Sequence, residues 1–196
     1  MLKKAAAWAA AVIIGLALGV ASVWAALSFG GAGAMEQYGL WRHNSLAGST
    51  AADPYTRTVI AIKGLLALSV REARYLDLSR DEEGRPLDES CIYELSSPPL
   101  PARWWSVTLY GRDEYLVRNN DNAYSIDASR TLTSANGGWR ARISPVRGET
   151  ANWISSRNAG TGFSLTLRLY NPHQPFDVTA EELPTLAIVS CTGEAS

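Results

Sequence analysis

The chain has 196 residues, 46% of them hydrophobic and 19% charged, with a formal net charge of −1. Setting aside residues 1–34 removes two lysines and leaves 16 basic against 19 acidic side chains, with five of the seven tryptophans still present. That balance carries no electrostatic footprint for nucleic acid, and so aromatic a composition excludes a mainly disordered chain.

Residues 5–27 run without a charge, directly after Lys3 and Lys4. A helix of that length reaches about 34 Å at ~1.5 Å per residue, against a hydrocarbon core of about 30 Å. With no further Lys or Arg until Arg42, the two lysines orient a single-pass anchor with its N-terminus in the cytoplasm. The remainder is then expected in the periplasm or outside, beyond a cytoplasmic (inner) membrane. Trp8 and Trp24 stand near the two ends of the run, where indoles favour the headgroup level. A cleaved secretory signal is the rival reading, because Ala32-Gly33-Ala34 offers an A-x-A pattern before Met35. Signal cores span roughly 7–15 residues, so the length favours a retained anchor over residues 1–28. Gly15 and Gly19 form a G-x-x-x-G, a spacing that an Ala/Gly-rich segment reaches by chance. The lipid bilayer, met through residues 5–27, is the first expected partner.

Residues 29–53, rich in Gly, Ala, Ser and Asn, read as a linker. Asp53-Pro54 is a helix start, with Asp as N-cap and Pro at the first position. Val59, Ile62, Leu65 and Leu66 then recur at helical spacing, which predicts a helix over 54–69 despite Gly64. From Ala73 the period changes to two. Residues 75–78 and 91–95 alternate around the turn chemistry of 81–86, which predicts a hairpin. Residues 97–101 are an extended, proline-rich connection.

Residues 103–110 form the most distinctive strand. Trp105, Val107 and Leu109 share one face, while Trp104, Ser106, Thr108 and Tyr110 share the other. A turn at 111–113 and a returning strand over 114–118 are expected next, then a turn at 119–122 and a short strand at 124–126. Asn136-Gly137-Gly138 is a hairpin signal before a strand over 139–143. Phe163, Leu165, Leu167 and Leu169 line one face of a later strand, with Arg168 and Tyr170 on the other. Residues 186–191 make the last strand. Eight or so short strands at even spacing predict a mainly β chain, a β-sandwich or jelly roll with one packed helix, preceded by the membrane helix.

Cys91 and Cys191 are the only cysteines. In an oxidising compartment an even pair reads as a disulfide, the alternative being two separate buried thiols. Pairing demands Cα atoms within about 7 Å and would close a loop worth roughly 4–5 kcal/mol in the chain-entropy picture. Without C-x-x-C, a thioredoxin-like role is not indicated.

Several ordered motifs together resemble a known family. They are Asp53-Pro54-Tyr55-Thr56-Arg57, Asp81 with Gly84-Arg85-Pro86-Leu87 before Tyr93, and the strand from Arg103 through Gly111. Asn152-Trp153-Ile154 and Leu167-Arg168-Leu169-Tyr170-Asn171-Pro172 complete the pattern. It is similar to the DUF1214 family, a bacterial domain of unassigned function often accompanied by a DUF1254 domain. The resemblance covers about residues 50–192 and implies a sandwich of jelly-roll character over 54–192. Asn136-Gly137-Gly138 stands where family members often carry an Asp-Gly turn. The family brings no catalytic residues to carry over.

The residues themselves offer little catalytic chemistry. Only His43 and His173 are present, one in the linker and one in a Pro-flanked turn, so neither a metal site nor any cofactor is expected. Asn119-Asn120-Asp121-Asn122 lacks the spacing of a calcium loop. Gly160-Thr161-Gly162 is too short for a phosphate cradle. No G-x-S-x-G occurs, and Ser106 lies mid-strand. Asp77, Glu94, Asp113 and Glu114 supply the carboxylates a hydrolase would need, yet each sits naturally as a solvated strand or turn charge. Trp104, Tyr110, Arg168 and Tyr170 carry more weight. If their two strands are neighbours, Arg168 sits among rings, where it could bind a carboxylate or stack, with Trp139 and Trp153 extending the surface. The alternative is a polar-aromatic ladder that simply covers the sheet. Binding of a small ligand or protein partner is therefore the expected role, with a carboxylate-dependent hydrolase or a structural subunit beside a DUF1254 protein as the other readings.

Overall fold

In the computed structural model, residues 2–29, 35–62, 68–173, 175–176 and 178–192 are described. The Ala32–Ala34 motif lies outside these, as do Gly64, Leu65 and Leu66 of the expected helix.

The N-terminal helix α1 spans Leu2–Phe29. Over Lys3–Ala26 its mean hydropathy is 2.2, so it is long and apolar enough to cross a membrane. Residues 3–24 are exposed along their whole length, and Ala25 and Ala26 are half-buried. A second helix, α2 (Pro54–Ile62), contacts α1. Asp53 caps α2 as expected, its Oδ1 accepting from the backbone N–H of Tyr55 at 2.8 Å and of Thr56 at 3.1 Å. The helix is described as far as Ile62, and Ser69 sits in a turn that receives the N–H groups of Glu72 and Ala73.

The stretch expected as a linker contains structure. Strands β1 (Met35–Tyr38) and β2 (Trp41–Asn44) form a hairpin about Gly39, whose φ of 60° suits glycine. Trp41 and His43 are buried there, and the Trp41 indole donates to the Pro184 carbonyl at 2.6 Å. The polar composition of this stretch conceals two side chains that plug the core.

The other strands are β3 (Ala73–Leu78), β4 (Leu87–Asp88), β5 (Cys91–Ser97), β6 (Ala102–Tyr110), β7 (Ser125–Asp127), β8 (Trp139–Ser144), β9 (Trp153–Ser155), β10 (Thr161–Pro172) and β11 (Thr185–Cys191). They make two sheets. The first has the order β1-β2-β3-β10-β6-β7, with β4 also pairing β10; the second has the order β11-β5-β8-β9. All pairs are antiparallel except β8 with β9. The two sheets share one core, where Leu76, Val107, Leu165 and Leu167 of the first meet Tyr93, Leu95, Ala141 and Ile143 of the second. Rings lock them together: Trp105 stacks on Trp139 at 4.7 Å and 16°, and Tyr93 meets Phe163 edge-on at 6.2 Å. The chain is thus mainly β, with two sheets and two helices.

Two expected elements differ. Strands β3 and β5 form no hairpin; β3 pairs with β2 and β10, whereas β5 pairs with β11 and β8. The intervening turn folds on itself around Asp81, whose carboxylate accepts from the Arg85 and Glu83 N–H groups and from Arg85 Nε at 2.9 Å. The chain then crosses from one sheet to the other. Period-two alternation marks which face is buried but not which strand is the partner. Residues 114–118 are not a strand. The N–H of Gly111 donates to the Tyr115 carbonyl at 2.8 Å, and Glu114 takes a positive φ of 64°, which closes a tight loop instead.

Cys91 and Cys191 face each other in the β5–β11 register and are joined by a disulfide, with Cα atoms 3.9 Å apart.

Candidate functional site

Strands β6 and β10 are direct neighbours, which is the condition the sequence left open. Their register sets Arg168 across from Ser106, Tyr170 across from Trp104 and Tyr110 across from Ser164. Because directly paired residues share a face, one face carries Trp105, Val107, Leu109, Leu165, Leu167 and Leu169, all buried in the core. The other gathers Trp104, Tyr110, Arg168 and Tyr170, all half-buried.

On that outer face Arg168 donates from Nη2 to the Tyr110 hydroxyl at 2.8 Å and from Nη1 to Thr108 Oγ1 at 3.2 Å. Its Cζ lies 5.3 Å from the Tyr110 ring centroid. Trp104 and Tyr170 pack ring against ring at 5.2 Å, and the Trp104 indole donates to Ser129 Oγ at 2.9 Å. Burial pushes the Tyr170 phenol above its ordinary pKa, against the pull of the Arg168 charge. Among the described residues no carboxylate pairs with Arg168. The nearby acids are engaged elsewhere: Asp77 accepts from Thr166 Oγ1 at 2.8 Å, and Asp127 pairs with Arg130 at 2.6 Å. A guanidinium has five N–H donors, and two are committed to neutral hydroxyls. The rest remain for an incoming acceptor. Thr108 is a site residue that the sequence reading did not single out, although its place on the Trp104–Tyr110 face was visible.

Trp139 and Trp153 belong to the second sheet and do not join this surface. Trp139 is 4% exposed and fills the core against Trp105, while the Trp153 indole donates to the Ser144 carbonyl at 3.1 Å. Each lines a separate cleft. Trp139 borders one of about 750 Å³ with Thr133, Ser134, Arg140, Thr185 and Glu181; Trp153 borders one of about 210 Å³ with Thr131 and Arg147. Asn152 stands in the wall of both. Its amide spans two segments, donating to the Leu132 and Arg140 carbonyls and accepting from the Leu132 N–H, all at 2.8 Å. A third cleft, of about 480 Å³, lies between Arg118 and Arg157. Arg168 lines none of these three.

Asp77 and Glu94 lie on different sheets. Glu94 pairs across β5 and β8 with Arg142 and so lies on the outer face of the second sheet, while Asp77 lies on the outer face of the first. Asp113 accepts from the Tyr115 N–H and serves its own turn. Among the described residues no three or more His, Cys, Asp or Glu side chains are grouped so as to hold a metal ion. His43 is a core residue. Its Nδ1 lies 2.9 Å from the Tyr75 carbonyl, which fixes the proton there and leaves Nε2 to accept from Arg74 Nη1 at 3.3 Å. Burial holds its pKa below the ordinary value.

An apolar helix ahead of a two-sheet β body, with an arginine set among aromatic rings, defines an architecture rather than an enzyme class. The chain belongs to the DUF1214 family, described as proteins of unknown function, which matches over residues 72–174. It is similar in fold to the crystal structure of the VPA0106 protein from Vibrio parahaemolyticus, at 21% identity and a TM-score of 0.57, over 70% of this chain and 36% of that one. A crystal structure of an uncharacterised protein from Burkholderia cenocepacia matches 60% of this chain and 29% of that one, at 17% identity and a TM-score of 0.47. The chain thus spans about a third of the length of the solved structures it matches. No curated protein matches it.

Proposed function

We propose that this protein is a membrane-tethered domain, facing away from the cytoplasm, that binds a small carboxylate-bearing ligand at the Arg168 face. One observation carries the reading: a half-buried guanidinium against the Tyr110 ring, on the same sheet face as the Trp104–Tyr170 pair, that pairs with no acid among the described residues. Arginine offers a planar fork that matches a carboxylate, and flanking rings favour a ligand with an apolar body. The tether is supported by the apolar span of α1 and the two lysines before it, and the outward placement by the Cys91–Cys191 bridge.

The test uses the full chain in detergent, titrated with benzoate and, separately, with benzyl alcohol. Benzoate should bind and benzyl alcohol should not. Arg168→Met should weaken benzoate at least tenfold, equivalent to about 1.4 kcal/mol. Equal affinity for the two probes, or a variant that binds benzoate normally, overturns the assignment. For the outward placement, an alkaline phosphatase fusion after residue 192 should be active.

A second reading is favoured by the coverage of 36% of the Vibrio protein, where this architecture is one part of a longer chain. The domain would then act beside a further domain, such as a DUF1254 protein, in an envelope complex.

A further inference from the structure

Helix α2 turns Ile60 inward beside Thr56 but leaves two large apolar residues, Tyr55 and Ile62, facing outward. Tyr55, Val59 and Ile62 follow one another at i, i+4 and i+7 and so form one stripe. Ordinarily such a stripe faces the core. Here Tyr55 is 48% exposed and Ile62 is 69% exposed, Val59 is half-buried, and the buried residue of the helix is Thr56, about 100° around it. Leu68, where the described chain resumes, is another 43% exposed. An outward apolar stripe on a capped helix needs an occupant.

Position supplies one. α1 and α2 are in contact, and among the described side chains of α1 burial begins at Ala25 and Ala26, the end from which the chain leaves the apolar span. If α1 crosses a bilayer, α2 stands where that bilayer gives way to water. A tyrosine at one end of the stripe and an isoleucine at the other suit that zone, since the phenol prefers the headgroups and the aliphatic chain the acyl boundary. We infer that α2 lies on the outer bilayer surface with Tyr55 and Ile62 inserted, giving the body a second lipid contact and fixing its orientation over the membrane. This inference rests on the tether reading above and extends it to a second element.

The full chain, with its native disulfide intact, would be reconstituted into phosphatidylcholine vesicles carrying brominated acyl chains. Bimane would be placed by Tyr55→Cys or Ile62→Cys, with Val12→Cys in α1 as the lipid reference and Leu132→Cys on the body as the water reference. Emission from positions 55 and 62 should be blue-shifted and lose most of its intensity, as at 12 and unlike 132. Emission like that at 132, with position 12 quenched, overturns the docking while leaving the tether standing. A position 12 that is also unquenched removes the tether and the docking together. A blue shift without bromine quenching that grows with protein-to-lipid ratio would assign the stripe to a second copy and overturn the lipid assignment.

Discussion

Leu167 and Arg168 are consecutive on β10, yet they face different media. Leu167 points between the sheets with Val107 opposite and is fully buried; Arg168 points outward, half-buried among Tyr110, Trp104 and Tyr170. The same contrast repeats along β6, where Trp105 stacks inside on Trp139 while Trp104 packs outside on Tyr170. One backbone register therefore serves two purposes. The inner face supplies hydrophobic burial, and the outer face holds polar and aromatic groups at fixed spacing. The difference teaches that one register places an apolar set and a polar-aromatic set on opposite faces of the same strands.

The contrast would break if stability came from the staple rather than from the inner face. Replacing both cysteines, Cys91→Ala with Cys191→Ala, should cost about 4 kcal/mol in denaturant unfolding, given a closed loop of 100 residues. The double variant should still fold. If it does not, the inner face is too weak to hold the sheets together. Next, Leu167→Ala should cost roughly 2–5 kcal/mol, since it opens a void at a fully buried site. Asn152→Ala should cost about 1–3 kcal/mol by stranding the Leu132 and Arg140 backbone groups it satisfies. Arg168→Met should change stability by less than about 1 kcal/mol, as expected for a half-exposed side chain outside the core. A loss as large as that of Leu167→Ala would erase the distinction between the faces.

A pH series sharpens the comparison at the one histidine buried in the core. His43 has a depressed pKa through burial, so the unfolded chain takes up a proton more readily than the folded one. Stability should be full above about pH 6.5 and fall as the pH drops below it. His43→Asn should flatten that slope whatever its effect on absolute stability. Acids contribute in a separate window. Burial alone would raise the Asp127 carboxyl, but the Arg130 guanidinium and the backbone N–H groups of Ser129 and Arg130 hold it below the ordinary carboxylate value of 3.8. Its contribution is therefore lost only at pH values below that.

The faces of β6 and β10 were legible because each strand is long and alternates cleanly, and the candidate cluster followed once the strands proved to be partners. The cysteine pairing was legible from parity and compartment. What composition concealed was pairing over distance. The β1–β2 hairpin looks like linker because its composition is mostly polar, with Trp41 and His43 buried and Tyr38 and Leu40 packed at the edge of the core, and β3 and β5 look like a hairpin because a local turn separates them. Trp139 and Trp153 were grouped with the Arg168 surface by chemistry alone, whereas sheet membership separates them. No local pattern marks the open end of the second sheet where the largest of the three clefts lies, because its walls come from segments as distant as Ser96 and Glu181.

Strand β10 joins β3, β4 and β6. A ribosome releases β3 some eighty residues before β10 begins, an interval of several seconds at about 5–20 residues per second. Leu76 and Leu78, and later Trp105 and Leu109, wait without their central partner strand until β10 follows. Newborn copies of this chain therefore expose apolar strand surface until late in translation.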